Sequence, residues 1–265
     1  MLHIVVCVKA VPDPKLAGKI KIDPATGTLL RSDIPLVGNA LDRHALEAAL
    51  RIKERLGASV TVLSMGPPEA ANVVRENLAL GADQGILLSD PAFGGADAYA
   101  TATTLAKAIM KLGLTDVIFC GAASSDSGTE WVGPELAVFL NMAVVTRVSE
   151  IVAAENDQWA VKTELDNGYR LARVTLPAVL TVTRELNTPR PLSFSGIVKA
   201  RKKEIVVWGR AELDLPEETV GRKGSPTTVT AWMPWASQRT ATMIEGTLEE
   251  KTERLLQKLI EAGGL

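Results

Sequence analysis

Over residues 1–145, short and uniformly apolar runs alternate with segments whose apolar residues recur every three or four positions. A continuous apolar run suits a strand buried on both faces, and the longer period suits a helix laid along one face of a sheet. Ile4 to Val8, Val60 to Ser64, Gly85 to Ser89 and Val117 to Cys120 are read as strands on this basis, and 41–56, 69–80, 98–112 and 134–141 as helices. Their alternation predicts an α/β fold in which a parallel sheet is sandwiched by helices. Between the first strand and first helix, KIKIDPATGTLL sets a Pro-Ala-Thr-Gly turn between two alternating segments, which predicts an added β-hairpin at the sheet end.

Beyond residue 145 the period becomes mostly two. QWAVKTEL and YRLARVTL, separated by Asp166-Asn167-Gly168, read as a hairpin, and PAVLTVTREL as a further strand after Leu176-Pro177. Residues 187–203, NTPRPLSFSGIVKARKK, combine two prolines, apolar side chains and a basic end, the makings of a projecting contact loop rather than a core element. Residues 209–265 contain Gly221, Gly224, Pro226, Pro234, Trp232 and Trp235, then a helical pattern from Leu248 to Ala262. The reading is an extended C-terminal arm with too little core of its own, packed on a partner subunit. The expected division is a domain at 1–208 and the arm at 209–265.

Composition removes several classes of function. At 265 residues and 46% hydrophobic content the chain can bury a substantial core. A formal charge of −2 and a pI near 5.8 give no general attraction to nucleic acid or to an anionic membrane, and KARKK reads as a solvated charge run. Cys7 and Cys120 lie in apolar runs without CxxC spacing, and His3 and His44 are the two histidines, so core thiols are expected and no metal centre. Lys9 and Asp13 break the first apolar run almost at once, no signal peptide or spanning segment is recognised, and the expected location is cytoplasmic, without membrane insertion.

The densest chemistry lies in 115–141, TDVIFCGAASSDSGTEWVGPELAVFLN. An apolar strand ends in a loop of Gly, Ser and Asp that opens into a helix marked by Pro134 and Glu135, which suit a first helical turn. Such a loop can bring backbone N–H groups close to a phosphate, and it can also be a plain connection; the segment by itself leaves both open. Ser124 and Ser125 have no histidine partner in view, since His3 precedes a strand and His44 sits on a helix, so no catalytic residue is assigned.

Taken in order, IVVCVKAVPD, NALDRHALEAALRIKE, GAASSDSGTEWVGPEL, LPAVLTVTRELNTPRP, GIVKARKK and GRKGSPT resemble the β subunit of electron transfer flavoproteins over nearly the whole chain. The resemblance implies a fold like that of the adenine-nucleotide α-hydrolases and a heterodimer with an α subunit carrying the electron-transferring FAD. It further implies an adenine nucleotide, AMP or a second FAD, in this chain. Its implied contacts are Cys7, Val8 and Lys9 at the first strand end, Asn39 and Asp42 at the first helix, and Met65 and Gly66 at the second strand end. Its phosphate loop maps onto Gly121, Ser124, Ser125, Asp126, Thr129, Val132 and Gly133. Lys9 would meet a phosphate, Asn39 a base or ribose, and Asp42 a ribose hydroxyl, while helix capping by Asn39 and a surface ion pair for Lys9 and Asp42 are the structural alternatives.

Flavin-binding members commonly read D-G-D-T-x-Q-V-G-P; here Gly128 and Trp131 replace the second acid and the glutamine, while Asp42, Val132, Gly133, Pro134 and GSPT match that bifurcating branch, which leaves AMP or FAD open. The resemblance also implies that the 187–203 loop docks an acyl-CoA dehydrogenase-type flavoenzyme through Phe194, aligned with a leucine elsewhere, and Ile197. Three functions follow for comparison: an electron-carrier subunit, an NADH-oxidising bifurcating subunit with FAD in the β site, and a non-redox ATP- or AMP-binding α/β domain.

Overall fold

A computed structural model describes residues 1–19, 21–22, 29–30, 34–228, 230 and 241–263. Residues Met1–Val229 form one compact unit and Thr230–Leu265 a second. Along the chain the strands are β1 (His3–Cys7), β2 (Ala10–Pro12), β3 (Lys21–Ile22), β4 (Leu29–Leu30), β5 (Leu36–Gly38), β6 (Ser59–Met65), β7 (Gln84–Leu88), β8 (Val117–Gly121), β9 (Ala143–Glu155), β10 (Gln158–Leu165), β11 (Gly168–Thr175), β12 (Ala178–Val182) and β13 (Ile205–Trp208). The helices are α1 (Ala40–Leu56), α2 (Ala71–Leu80), α3 (Ala98–Leu112), α4 (Val132–Leu140), α5 (Phe194–Lys202) and α6 (Leu248–Glu261).

Nine strands make the main sheet, in the order β11-β10-β9-β12-β8-β1-β6-β7-β13. From β9 to β13 all neighbours run parallel, and β10 and β11 extend that edge antiparallel. The four strands read from the sequence lie at the centre and are buried on both faces, which is why their runs are continuously apolar. Val6, Val60, Val62 and Phe119 face α1 and α2, with Leu46, Leu50, Val73 and Val74 against them. Val5, Leu63, Ile86 and Ile118 face α3 and α4, with Leu105, Ile109 and Leu136 against them. The sheet is thus wound on both sides, as the alternation predicts.

The chain leaves β1 through α1 to β6 and β7 on one side, then crosses through α3 to β8 on the other side of β1. The strand order reverses between β1 and β8, and their carboxyl ends open a crevice there. Two small ladders stand off the main sheet: Ala10 pairs with Gly38 in β2–β5, and Lys21 pairs with Leu30 in β3–β4. The latter ladder is the expected hairpin; its Pro-Ala-Thr-Gly turn lies outside the described residues.

Four features differ from the periodicity reading. β9 runs for 13 residues that the periodicity leaves without a strand, because its first part pairs parallel with β12, its later part antiparallel with β10, and no single burial period runs through both. β13 adds a second unexpected strand beside β7. The stretch read as a projecting loop contains α5: Ser193 caps it by accepting from Gly196 N at 3.0 Å, and a Cβ on Gly196 would lie 2.2 Å from the Ala79 carbonyl at the end of α2. Residues 209–228, assigned to the arm, fold with the first unit, where Leu213, Leu215 and Val220 are buried beside α3 residues. Trp232, Pro234 and Trp235 lie outside the described residues.

Candidate functional site

At the crevice, α1 begins where the paths of β1 and β8 end. Asn39 N donates to Lys9 O at 2.9 Å, so the first helical residues sit directly against the end of β1. Asp42, in the first turn of α1, is 6% exposed and accepts from Lys9 N at 2.7 Å, Gly121 N at 3.0 Å and Asn39 Nδ2 at 3.0 Å. One carboxylate thereby ties two strand ends to one helix start. A Cβ on Gly121 would lie 2.5 Å from Asp42 Oδ1 and 2.7 Å from Leu41 Cβ, so glycine is required for this approach. Burial pushes the Asp42 carboxyl up to about 6, against the lowering pull of the Lys9 N–H, Asn39 and Gly121 hydrogen bonds and the Lys9 charge.

Asn39 joins this anchor to the loop after β8. Its Nδ2 also donates to Ala123 O at 2.9 Å, and its Oδ1 accepts from Ser125 N at 3.2 Å. It makes no side-chain capping bond to α1. Asn39 and Asp42 are therefore turned to the protein, and their observed work is to shape the loop rather than to reach a base or ribose.

The Lys9 side chain reaches the loop itself. Its Nζ donates to Asp126 Oδ1 at 2.7 Å, Ser124 Oγ at 3.3 Å and Ser127 Oγ at 3.4 Å; Ser124 Oγ donates to Asp126 Oδ1 at 2.7 Å and lies 2.9 Å from Ser127 Oγ. The Lys9 pairing is with Asp126, not Asp42. An ammonium beside two hydroxyls, at the mouth of a strand-loop-helix turn, is a donor set that suits a phosphate oxygen. Beyond it Gly128 and Glu130 take positive φ, +63° and +59°, and Thr129 and Trp131 are exposed before α4 starts at Val132.

Gly133 has a different reason from close approach to a phosphate. It is buried, and a Cβ there would lie 2.4 Å from Thr181 Cγ2 and 3.1 Å from Cys120 Sγ, so glycine lets α4 lie on β12 and β8. Val132 packs partly buried against the same core. Cys7 and Cys120 are buried, with the Cys7 thiol pushed up to about 12 by burial and then by Asp42, and Cys120 raised by burial, Cys7 and Asp42. Both stay protonated and unreactive. Val8 is a core residue too, so the side chains of Cys7 and Val8 both face inward, and Val8 N donates to Leu63 O at 2.9 Å.

Met65 ends β6, the neighbour of β1 on its other side, and Gly66 follows it. Gly66 N donates to Leu88 O at 3.0 Å, and a Cβ on Gly66 would lie 3.1 Å from Ala70 Cβ. Further along, Asp97 caps α3 through Ala100 N at 3.0 Å and accepts from Thr227 N at 3.0 Å and Thr227 Oγ1 at 2.7 Å, which brings the GSPT segment to that helix start. Glu135, in the first turn of α4, is held above the usual carboxylate range by burial and by the Asp97 charge.

Ser127, which the resemblance does not mark as a contact, joins the Lys9 and Ser124 cluster within the loop. Arg147, to which periodicity gives no role, sits at φ +56° in a bulge of β9 and pairs with Glu130 at 3.2 Å and Glu164 at 3.4 Å. Phe194 and Ile197 are not brought to the crevice; they stand on α5, Phe194 at 84% exposure and Ile197 at 37%.

Fold and site together define a doubly wound α/β protein with a polar, loop-lined crevice at its switch point, where this class of sheet receives ligands. A family model described as electron transfer flavoprotein domain matches residues 26–213, and the chain belongs to the electron transfer flavoprotein family, among its β subunits. It is 41% identical to electron transfer flavoprotein subunit beta of Thermoanaerobacterium thermosaccharolyticum, over 97% of this chain and 98% of that protein. It is 42% identical to caffeyl-CoA reductase-Etf complex subunit CarD of Acetobacterium woodii, over 98% of each, and 33% identical to FixA of Azorhizobium caulinodans, over 98% of this chain and 94% of that protein. No helix among the described residues is long and apolar enough to cross a membrane.

Proposed function

We propose that the chain is one half of a heterodimeric electron transfer flavoprotein, holds an adenine nucleotide at the β1–β8 crevice, and docks an acyl-CoA dehydrogenase-type flavoenzyme whose electrons pass through FAD on the α subunit. The observation that carries the nucleotide is the convergence of the Lys9 ammonium with Ser124 and Ser127 hydroxyls at the switch point. Lys9, Ser124 and Ser127 would take the phosphate, and the main chain at Cys7, Val8 and Met65–Gly66 would border the adenine. A flavin, when bound to the complex, supplies the redox chemistry; this chain's residues bind, orient and present.

Among the described residues no histidine stands beside the site's serines; the Ser124 hydroxyl donates to an Asp126 carboxylate that Lys9 already pairs, which fits the binding loop of a carrier subunit better than a stand-alone enzyme. The exposed Phe194 at the start of α5 supports the docking role, because a ring held in solvent gains most from a partner's pocket. A second reading places FAD in the crevice and makes the complex an NADH-oxidising, bifurcating one. It is favoured by the Thr227–Asp97 bonds, which bring the GSPT segment shared with flavin-binding members to the start of α3. Purifying the αβ complex and quantifying flavin and AMP after denaturation tests both: one flavin with one AMP per complex supports the carrier, two flavins support bifurcation, and one flavin without AMP rejects a nucleotide in the β site.

A further inference from the structure

α1 carries a carboxylate that nucleotide binding does not use. Glu47, on α1, is 5% exposed. A carboxylate withdrawn from water is costly unless its oxygens are satisfied. Glu47 accepts from Arg190 N at 3.1 Å, Arg190 Nε at 2.7 Å, Arg190 Nη2 at 3.3 Å and Arg51 Nε at 2.7 Å. Arg190 also donates to Glu54 at 2.5 and 3.1 Å.

The main chain just before Arg190 is bound to the same helix. Asn187 Nδ2 donates to His44 O at 2.9 Å, His44 Nδ1 lies 2.9 Å from Asn187 O, and Arg51 Nη2 donates to Thr188 O at 3.1 Å. The far end of the segment is fixed separately: Arg75 Nη1 donates to Ala200 O at 2.7 Å, and Gly196 is pressed on the Ala79 carbonyl. Phe194 stands between these two fastenings with its ring in solvent.

We propose that Glu47 is a positioning residue for docking: by fixing Asn187–Arg190 on α1 it aims the start of α5, and with it Phe194, at the electron donor. The inference rests on the docking reading of Phe194. The geometry favours positioning over plain stability because the bonds fall on one irregular segment, through a backbone N–H and a bidentate guanidinium, at a place where apolar packing could have closed the surface without a buried charge.

The test uses the whole αβ complex carrying Glu47→Gln, with Phe194→Ala as the control that removes the anchor and leaves the brace. Hydrogen exchange over 187–193, the KM for a reduced acyl-CoA dehydrogenase, the saturating rate of flavin reduction, and nucleotide content are measured. The expected result for Glu47→Gln is exchange faster by about tenfold or more in that segment, a KM raised about tenfold, and an unchanged saturating rate and nucleotide content. Adding Arg190→Gln to Glu47→Gln should raise KM little further, since both act through one contact. Unchanged exchange, or faster exchange with an unchanged KM, overturns the proposal. An unchanged KM in Phe194→Ala rejects the docking reading instead. Should Glu47→Gln fail to assemble, Arg190→Gln alone leaves Glu47 paired with Arg51 and is read by the same criteria.

Discussion

Lys9 Nζ lies 2.7 Å from Asp126 Oδ1, a link from the end of β1 to the tip of the loop after β8. Lys9 keeps 42% of its side chain in solvent while that of Asp126 keeps 11%, so the cation faces the crevice mouth with its partner behind it. A phosphate arriving there would share the ammonium with Asp126. Lys9→Met should lower the nucleotide retained by the purified complex by about tenfold, and Asp126→Ala should lower it less by loosening the loop. Nucleotide per complex after gel filtration decides; unchanged stoichiometry in both variants rejects the loop assignment.

Asp42→Asn should destabilise the complex by ~1–3 kcal/mol, because an amide nitrogen would face one of the N–H donors of Lys9, Gly121 or Asn39. The acid also has a pH signature. Its folded value of about 6 lies above the ordinary 3.8, so the folded state binds the extra proton. Asp42's own contribution is greatest below 3.8 and is lost as pH rises to about 6. Urea unfolding of wild type minus Asp42→Asn across pH 4–6 should show that fall; a flat difference would count against the buried carboxyl titrating there.

Gly133→Val should act through packing. The new side chain meets Thr181 and Cys120, so α4 must lift from β12 and β8, at a cost of ~1–3 kcal/mol. A lowered melting temperature with nucleotide lost only in proportion to unfolding is the expected pattern. Full stability with selective nucleotide loss would restore the phosphate-approach explanation.

Phe194→Ala should weaken dehydrogenase docking by ~2 kcal/mol, about 30-fold in affinity. At 84% exposure the ring contributes little to its own subunit, so the melting temperature should not move. Electron-transfer rate against dehydrogenase concentration reads the first effect and thermal unfolding the second; a normal concentration dependence would exclude the docking role.

The second unit ends in an amphipathic helix. Thr247 and Glu250 form a capping box at the start of α6, yet Leu248, Leu255, Leu256, Leu259 and Ile260 are all 42% exposed or more. Expressed without an α subunit, the chain should lose residues beyond 229 to limited proteolysis, and co-expression should protect them. Equal protection in both preparations would show that the arm needs no partner.

What the sequence determined by itself is whatever depends on local period. The central strands β1, β6, β7 and β8 and helices α1 to α4 are legible because burial on both faces, or on one helical stripe, writes itself into consecutive residues. The loop of Ser124, Ser125 and Asp126 is legible as a loop because Gly, Ser and Asp cluster between an apolar strand and a helix start. β9 escaped because its bulge at Arg147 and its change of neighbours, parallel to β12 and antiparallel to β10, break any single period. Only the tertiary structure decided what the site residues touch. Asp42 and Asn39 are polar residues at a helix start, and nothing local says that they bind the ends of two distant strands; that follows from the crossover that sets β8 beside β1. Gly133 likewise yields its reason only when β12 lies beneath it, and Glu47 only when residues 187–190 return to α1 across 143 positions of sequence. Contacts at that separation are fixed by the order of strands in the sheet, a property of the whole chain rather than of any window along it.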